Sequence, residues 1–284
     1  MARKHQDSSS TISISVRSSE RTSRRTPTTM GKVIAISIFK GGAGKTTTAV
    51  TLAAALAQLG ARVLLIDLDQ QASATRNLGL DPESENPNLY HVFKRQVTAS
   101  TAVKELSNGF HIIPGNSLLA AIEEALEEGD EALLRSLISG VKDEFDYVLL
   151  DSPPGKAMLA ISALTAADEV IIPLPAERPA LDGVQDLLRF ISEIVWEKHN
   201  STLKIRGILP TMYKRTTTHS PGVVDKAREI WGDKVFPVQV PETIAFPRSY
   251  NEGKPLLYAE PEHEGAQAYM ALARLIHPHH EGNQ

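Results

Sequence analysis

Short, fully apolar runs alternate with longer stretches of helical periodicity from residue 33 onward. Apolar runs rich in Val, Ile and Leu predict strands that are buried on both faces of a sheet. The longer stretches predict helices, and the first of these begins at about Thr46 and ends at Gly60, a residue type that commonly follows a helix. The predicted strands are 33–38, 62–66, 111–114, 147–150, 170–174, 205–209 and 235–240.

This alternation of strands and helices is typical of one fold class. Repeated strand–helix–strand units with strands that are apolar on both faces predict an α/β protein, with a mostly parallel, twisted sheet and helices on both faces. Residues 118–141 predict one or two helices with a strongly acidic face. Because neither an internal repeat nor a second boundary interrupts the pattern, we predict a single domain over residues 31–284.

The composition narrows the chemistry without identifying it. The 284 residues are 42% hydrophobic and 23% charged, as in globular proteins, and none of them is cysteine. The lack of cysteine excludes disulfides, thiolate zinc sites, cysteine nucleophiles and cysteine-ligated iron–sulfur clusters. No apolar run reaches the roughly 18 residues that a membrane-spanning helix requires. We therefore expect no transmembrane segment.

The net charge of −4 hides an uneven distribution along the chain. Residues 1–30 carry six basic and two acidic side chains, which leaves 24 basic and 32 acidic ones in the remainder. This tail is rich in Ser, Thr and Arg and lacks the apolar segment of a secretory signal. We predict a disordered extension before a start near Met30. A basic arm for nucleic acid or an anionic surface, and an organelle transit peptide, are the alternatives.

A glycine-rich loop separates the first predicted strand from the first helix. Its residues are Lys40, Gly41, Gly42, Ala43, Gly44, Lys45, Thr46 and Thr47. A triphosphate requires closely approaching backbone N–H groups, which glycine permits, and the positive end of a helix. It also requires a lysine for the outer phosphates and a hydroxyl for Mg²⁺, here Lys45 and Thr46. The loop departs from the ordinary pattern where Phe39 replaces a glycine and the additional Lys40 follows it.

Three aspartates follow predicted strands, where open α/β sheets bind their ligands. Asp151 ends the run 147–150, and a carboxylate there can hold the water shell of Mg²⁺. Asp67 and Asp69 follow the second strand, and their spacing of two places both on one side of an extended chain. Either of these two could orient an attacking water. Together with the glycine-rich loop, they indicate a nucleotide site rather than three isolated capping residues.

These motifs resemble those of the ParA/MinD family of ATPases. Residues 40–47, 65–70 and 147–154 are similar to the deviant Walker A, Walker A′ and Walker B motifs of that family. Further similar segments are 180–183, 207–212, 240–241 and 253–255. The resemblance covers residues 31–276 and implies the P-loop NTPase form of the α/β fold. It also implies ATP hydrolysis to ADP and phosphate that is slow alone and stimulated by a partner protein.

The resemblance further implies a homodimer that sandwiches ATP and Mg²⁺ between its subunits. Lys45 would hold the outer phosphates of its own ATP, and Lys40 would reach across to the phosphates of the partner's ATP. Asp69 would position the attacking water with Asp67 in support. The metal site would comprise Thr46, Asp151 and Asp67. Nucleotide contacts would come from Gly41, Gly42, Ala43, Gly44, Lys45, Thr46, Thr47, Thr211, Met212 and Pro241.

Relatives in this family bind DNA without sequence preference, which requires only Lys and Arg near phosphates. Residues 201–258 carry nine basic and five acidic side chains, an excess that the rest of the body lacks. The resemblance therefore assigns DNA contact to Lys214, Arg215 and Arg248, although Glu242 stands where relatives often carry arginine after Pro241. It implies a cytoplasmic, nucleoid-associated ATPase with a ParB-like or other cargo-adaptor partner, which positions DNA or a protein assembly.

Other members of the superfamily provide alternatives. A MinD-like membrane ATPase needs a basic amphipathic C-terminal helix, and residues 265–276 contain only one basic residue, so we expect no membrane partner. A biosynthetic ligase of the dethiobiotin synthetase type would keep the P-loop, but Lys40 and the Asp67/Asp69 pair argue against it. The resemblance is to the Soj-like form without an N-terminal helix-turn-helix domain, because about 30 residues precede the first predicted strand.

Overall fold

The computed structural model describes residues 31–107, 109–177, 179–217 and 219–278. The predicted tail, residues 1–30, lies outside the described part of the chain. The strands are β1 (Lys32–Ile36), β2 (Val63–Asp67), β3 (Lys104–Glu105), β4 (His111–Ile113), β5 (Tyr147–Asp151), β6 (Glu169–Pro175) and β7 (Lys204–Thr211). They form one sheet in the order β3-β4-β2-β5-β1-β6-β7, in which β3 alone runs antiparallel to its neighbour.

The central strands are buried on both faces because their alternate side chains enter two separate cores. In β1, Val33 and Ala35 face one core, whereas Ile34 and Ile36 face the other. All four residues are at most 2% exposed. Strands with no solvent face read as continuous apolar runs, which is the pattern seen in the sequence.

Helices cover both faces, as the strand pattern predicts. Those that contribute to the core of Ile34 and Ile36 are α1 (Lys45–Gln58), α2 (Ser73–Asn77), α10 (Ala245–Asn251), α11 (Leu256–Ala259) and α12 (Glu264–Ile276). Those that contribute to the other core are α3 (Leu89–Phe93), α4 (Ala99–Ala102), α5 (Leu119–Ala125), α6 (Leu133–Lys142), α7 (Met158–Ala166), α8 (Ala180–Phe190) and α9 (His219–Trp231). The predicted first helix and the α/β fold are confirmed.

Short irregular helices complete the chain path. Two 3₁₀ turns occupy Asp130–Ala132 and Gly232–Lys234, and a π-helical stretch, Ile191–His199, continues α8. The predicted helical region 118–141 therefore divides into α5, a 3₁₀ turn and most of α6. Among the described residues, no helix combines the length and the apolar character that crossing a membrane would require.

The predicted strand at 235–240 is wrong. This segment lies beside β7 but forms only isolated bridges, Ile208 of β7 with Val235 and, just beyond the strand and the segment, Tyr213 with Pro241. Proline has no N–H to donate to a ladder, and Pro237 interrupts the segment between its two bridges. The apolar run is explained by packing instead, because the aromatic ring of Phe236 lies over β7 at Gly207.

The strand order places the predicted functional segments at one edge of the sheet. Strand β5 lies between β1 and β2, and Asp151 is in register with both Ile36 and Asp67. The carboxyl ends of these three parallel strands therefore meet. The glycine-rich loop leaves the end of β1, so it lies beside both aspartates, at the usual ligand-binding edge of an open α/β sheet.

Candidate nucleotide-binding site

The glycine-rich loop turns tightly into the start of α1. Gly42 and Gly44 adopt positive φ angles of 69° and 85°, a conformation that glycine reaches without steric cost. Gly44 immediately precedes α1, and no described side chain caps this helix N-terminus. The first N–H groups of the helix are thus available, together with its positive dipole end, for an anion such as a phosphate.

Lys45 points its ammonium back into the loop. The residue is 7% exposed, and its Nζ lies 3.4 Å from the carbonyl oxygen of Lys40. Burial lowers the pKa of Lys45, while the nearby carboxylates of Asp151 and Asp69 act in the opposite direction. The side chain of Lys40 is half-buried and has no ion-pair partner among the described residues. The loop therefore contains two lysines five positions apart, of which Lys45 is buried and Lys40 is half-buried.

Asp151 is a buried carboxylate whose two oxygens accept no hydrogen bond of ordinary geometry within the described chain, although the Thr46 hydroxyl is near enough to affect its pKa. Burial raises its pKa well above the ordinary value and neighbouring Asp67 adds to the rise, whereas the Thr46 hydroxyl and the Lys45 ammonium oppose it. Buried polar atoms without a partner are rare in folded proteins. Oxygen donors from a carboxylate and a hydroxyl are those that Mg²⁺ prefers, so Asp151 and Thr46 fit this ion.

Asp67 differs from Asp151 because the chain itself occupies its oxygens. The Thr75 hydroxyl and backbone N–H donate to Oδ2 at 2.7 and 2.9 Å, and the Asp69 N–H donates to Oδ1 at 3.3 Å. Burial nevertheless raises the pKa of Asp67 to about 6. Among the metal ligands predicted from sequence, Asp67 is therefore the one already engaged in holding its own loop.

Thr75 was not predicted from the sequence. Its hydroxyl donates to Asp67 and accepts the N–H of Gly115 at 3.0 Å, so it joins the ends of β2 and β4. Gly115 is required for this approach, since a Cβ there would lie 2.7 Å from the carbonyl oxygen of Asp67. A threonine in a five-residue helix carries no sequence signal for such a role.

Asp69 lies at the open side of the same loop and is half-buried. Its Oδ1 accepts the N–H of Gln71 at 2.9 Å, and its backbone carbonyl accepts the N–H of Ala72 at 2.7 Å. These bonds fix the turn that follows β2 and leave Oδ2 free of any described hydrogen bond. The carboxylate is close enough to Lys45 to influence its pKa.

Two other segments predicted to contact the nucleotide, those of Thr211 and Pro241, lie together beyond the loop. The Thr211 hydroxyl donates to the carbonyl of Ala43 at 3.2 Å, and Met212 turns the chain with a φ of 52°. Backbone hydrogen bonds of Tyr213 with both neighbours of Pro241 then join the two segments. Both contribute to a cavity of about 580 Å³, lined in part by Tyr213 and Pro241.

Two buried tyrosine hydroxyls fasten α1 below the loop. The Tyr250 hydroxyl lies 3.1 Å from Thr51 Oγ1, and the Tyr269 hydroxyl lies 2.9 Å from Thr48 Oγ1. Burial raises both phenol pKa values, that of Tyr250 to about 12, although its hydrogen bonds with Thr51 and Thr47 oppose the rise. Sequence reasoning missed these contacts because each spans about 200 residues of chain.

The three residues predicted to contact DNA differ in their surroundings. Lys214 lies in the exposed loop after β7, and its Nζ is 2.7 Å from the carboxylate of Glu242. Arg248, on α10, forms an ion pair with Glu260. Arg215 is exposed and has no ion-pair partner among the described residues. Two of the three cations are therefore already neutralised in part by carboxylates of the same chain.

The acidic face of region 118–141 is not wholly a solvated surface. The carboxylate of Glu123 accepts the backbone N–H groups of Met158 and Leu159 at the start of α7. Glu124, Glu127 and Glu128 are exposed. One glutamate of the four thus caps a distant helix, and the sequence offers no means of identifying which one.

Comparison with known proteins identifies the family to which this geometry belongs. The profile of the family described as "AAA domain" matches residues 31–205. The Sporulation initiation inhibitor protein Soj of Bacillus subtilis is 35% identical over 251 residues, 87% of this chain and 98% of Soj. The Chromosome partitioning protein ParA of Caulobacter vibrioides is 38% identical over 252 residues, 86% of this chain and 93% of ParA.

The chain belongs to the ParA/MinD family of P-loop ATPases. Solved structures of relatives agree with this assignment. Septum site-determining protein MinD from Pyrococcus horikoshii, complexed with Mg-ADP, superposes with a TM-score of 0.75 at 26% identity, covering 87% of this chain and 96% of MinD. Cobyrinic acid a,c-diamide synthase from Mycobacterium smegmatis, with bound ADP and magnesium, gives 0.76 at 34% identity, covering 87% and 94%. The motifs that suggested the family from sequence therefore identified it correctly.

Proposed function

We propose that this ParA/MinD-family ATPase dimerises with ATP, binds DNA non-specifically in that state, and positions a DNA or protein cargo. The observation that carries the proposal is the pair of lysines in one phosphate loop: Lys45, buried at the start of α1, and Lys40, half-buried and without a described ion pair. A site that needed to bind only its own nucleotide would be complete with Lys45. Lys40 is then available for the second nucleotide of a sandwich dimer.

The proposed chemistry follows from the positions of these groups. Lys45 and the N–H groups of the loop bind the outer phosphates of ATP, and Lys40 stabilises the charge that develops on the partner's ATP during phosphoryl transfer. Asp69 orients the attacking water from the open side of the loop. Thr46 and Asp151 would hold Mg²⁺, which when bound neutralises phosphate charge. Asp67, bonded to Thr75, holds the Asp69 turn in place.

The proposal extends from the nucleotide site to the partners. Arg215, with Lys214 and Arg248, would contact DNA phosphates in the dimer, and a ParB-like or other adaptor protein would stimulate hydrolysis and release the DNA. This adaptor would determine which cargo is moved. The relatives named Soj and ParA support a role in chromosome partition. Such an ATPase would act in the cytoplasm on the nucleoid.

Substitution of Lys40 tests the proposal directly. The Lys40→Ala protein should hydrolyse ATP about 10²- to 10³-fold more slowly, because a transition-state cation is lost, while still binding ATP through Lys45. Steady-state hydrolysis and equilibrium nucleotide binding measure the two effects. Lys94→Ala, a change of the exposed lysine that follows α3, is the matched control. Hydrolysis at the wild-type rate in Lys40→Ala would refute the sandwich dimer.

A MinD-like membrane role has less support from the structure. Most apolar residues of α12, among them Tyr269, Leu272 and Ile276, are buried in the core with α1, and Leu275 is its one exposed large apolar side chain. Arg274 is the one basic residue of this helix. An interfacial helix would need an exposed apolar face and a basic polar face. Binding of the ATP-loaded protein to anionic vesicles measures this alternative.

A biosynthetic ligase is the second candidate, because the Mycobacterium smegmatis relative is named as an a,c-diamide synthase. Such an enzyme activates a carboxylate of its substrate with ATP. To separate the two candidates, the protein is incubated with ATP, a panel of small carboxylic acids and an amine donor. The assay measures whether ADP release depends on the added carboxylic acid. ATP turnover without acceptor supports the partition ATPase, and acceptor-dependent turnover supports the ligase.

A further inference from the structure

Lys156 lies against two phenylalanine rings beside the phosphate loop. Its Nζ is 5.4 Å from the ring centroid of Phe39 and 5.5 Å from that of Phe190. The two rings are themselves in edge-to-face contact, with centroids 5.3 Å apart and planes at 78°. An ammonium at this distance from aromatic faces is attracted by the ring quadrupoles. We refer to Phe39, Lys156 and Phe190 as the aromatic clamp.

The aromatic clamp connects three segments that surround the site. Phe39 is the residue immediately before Lys40, Lys156 lies in the loop between β5 and α7, and Phe190 is the last residue of α8. Phe39 and Phe190 are half-buried, and Lys156 is exposed. The contacts therefore lie at the surface around Lys40, where the partner of a sandwich dimer would approach.

Further contacts hold the backbone on both sides of Lys40. The N–H of Gly155 donates to the carbonyl of Phe39 at 2.8 Å, which joins the two loops directly. Helix α8 passes the same place at Gly183, where a Cβ would lie 3.9 Å from the Cβ of Lys40. The position of Lys40 thus depends on the loop after β5 and on α8 as well as on the phosphate loop.

We propose that Lys156 is a positioning residue for Lys40. Its ammonium holds the Phe39 ring against Phe190, and this contact sets the direction in which the following residue, Lys40, leaves the sheet. Ordinary phosphate loops have glycine at the position of Phe39, which would leave the chain free to turn there. The inference rests on the proposed function, because it assumes that Lys40 acts across the dimer.

Removal of the charge from Lys156 tests the inference in the full-length protein. Lys156→Met, similar in length, should lower kcat about 3- to 10-fold, the effect expected when a partly exposed cation–π contact that orients a catalytic group is lost. The dissociation constant for ATP should change less than about twofold, since Lys45 and the loop N–H groups are untouched. Lys156→Arg should recover at least about half of the lost rate, because guanidinium also stacks on aromatic rings.

A matched control and a double variant distinguish positioning from a general effect on structure. Lys94 lies 5.9 Å from the ring centroid of Tyr90. Lys94→Met removes a similar contact outside the aromatic clamp and should leave kcat unchanged. Phe39→Leu should lower kcat as Lys156→Met does. The double variant should be no slower than the slower single variant, because both changes break one contact.

Three results would overturn the inference: wild-type kcat in Lys156→Met, weaker ATP binding in that variant, which would make Lys156 a direct ligand, or additive losses in the double variant. If Lys156→Met does not fold by circular dichroism, Phe190→Leu provides the same test from α8. Lys40→Ala is measured in parallel. Normal hydrolysis in Lys40→Ala refutes the proposed function itself, whereas slow hydrolysis there with normal Lys156→Met refutes only the role of Lys156.

Discussion

The two buried aspartates at the edge of the sheet show how single residues divide structural from chemical work. Asp67 accepts three hydrogen bonds from Thr75 and Asp69, while Asp151 accepts none of ordinary geometry among the described residues. A buried carboxylate without partners is unfavourable unless a ligand supplies them. The free-energy cost of an unpaired buried carboxylate therefore falls on Asp151, and a bound cation there would reduce it. Asp67 instead holds the adjacent loop in place.

The contribution of Tyr250 to the free energy of unfolding should depend on pH. Tyr250→Phe removes the hydrogen bond with Thr51 and should lower the free energy of unfolding at pH 7 by about 1 kcal/mol. The phenol pKa is raised from 10.0 to about 12 in the folded protein. The unfolded chain therefore loses this proton first, and the contribution of Tyr250 is complete below pH 10 and declines as pH rises toward 12.

Urea denaturation at pH 9 and pH 11 measures the effect of Tyr250. Over this interval the wild type should lose about 1 kcal/mol of stability that Tyr250→Phe retains, after allowance for the partial exposure of the residue. The difference between the two proteins should therefore shrink toward zero at pH 11. A difference that stays constant with pH would contradict the raised pKa of Tyr250.

Sequence reasoning can propose roles for residues that form a local pattern. The glycine-rich loop, Lys45 and Asp151 are such candidates, because phosphate and Mg²⁺ binding require those residue types at the ends of strands. Thr75, Tyr250 and Glu123 were not identifiable, since their contacts join segments 8, 199 and 35 residues apart. When a hydroxyl or carboxylate contacts a residue far away in the sequence, the residues around it do not reveal the contact.

At the scale of elements, helix α7 depends on a cap supplied from elsewhere. The Ala157 N-cap has no side chain that could accept a hydrogen bond, and the Glu123 carboxylate on α5 accepts the N–H groups of Met158 and Leu159 instead. A carboxylate at this end also complements the helix dipole. Because α7 follows the loop that contains Lys156, this cap fixes one end of a segment beside the nucleotide site.

Loss of the cap should destabilise the protein measurably. Glu123→Ala should lower the free energy of unfolding by about 1–2 kcal/mol, the usual effect of removing a helix cap, and Glu123→Gln should lower it less because one acceptor oxygen remains. Glu124→Ala, on the same helix but exposed, should stay within about 0.5 kcal/mol of wild type. Equal effects of Glu123→Ala and Glu124→Ala in urea denaturation would refute the capping role.

The segment 235–240 shows why apolar pattern alone overestimates strands. Its alternation suits a strand, but Pro237 has no N–H, and the segment bonds to β7 only at its two ends, through the N–H groups of Phe236 and Val240. Burial of Phe236 against Gly207 accounts for the apolar character. A periodic pattern reports which side chains are buried, whereas ladder formation also depends on the donors that the backbone can offer.

At the scale of the whole molecule, a net charge of −4 is compatible with DNA binding because charge is distributed unevenly. The basic residues proposed for DNA contact are concentrated after β7 and on α10, yet two of them are paired with Glu242 and Glu260. DNA phosphates would have to compete with these carboxylates. Their presence should weaken binding and reduce its dependence on salt below the value that three free cations would give.

Removal of the carboxylate that competes for Lys214 should strengthen DNA binding. Glu242→Gln removes the carboxylate that lies 2.7 Å from the Lys214 Nζ. Because Lys214 is then free to contact phosphate, ATP-loaded protein should bind random-sequence DNA about 2- to 5-fold more tightly at low salt. The slope of log affinity against log salt should steepen toward one additional phosphate contact. Glu124→Gln makes the same change in net charge away from this surface and should leave both quantities unchanged. Equal tightening by the two variants would mean that total charge, rather than the surface of Lys214 and Arg215, governs DNA affinity.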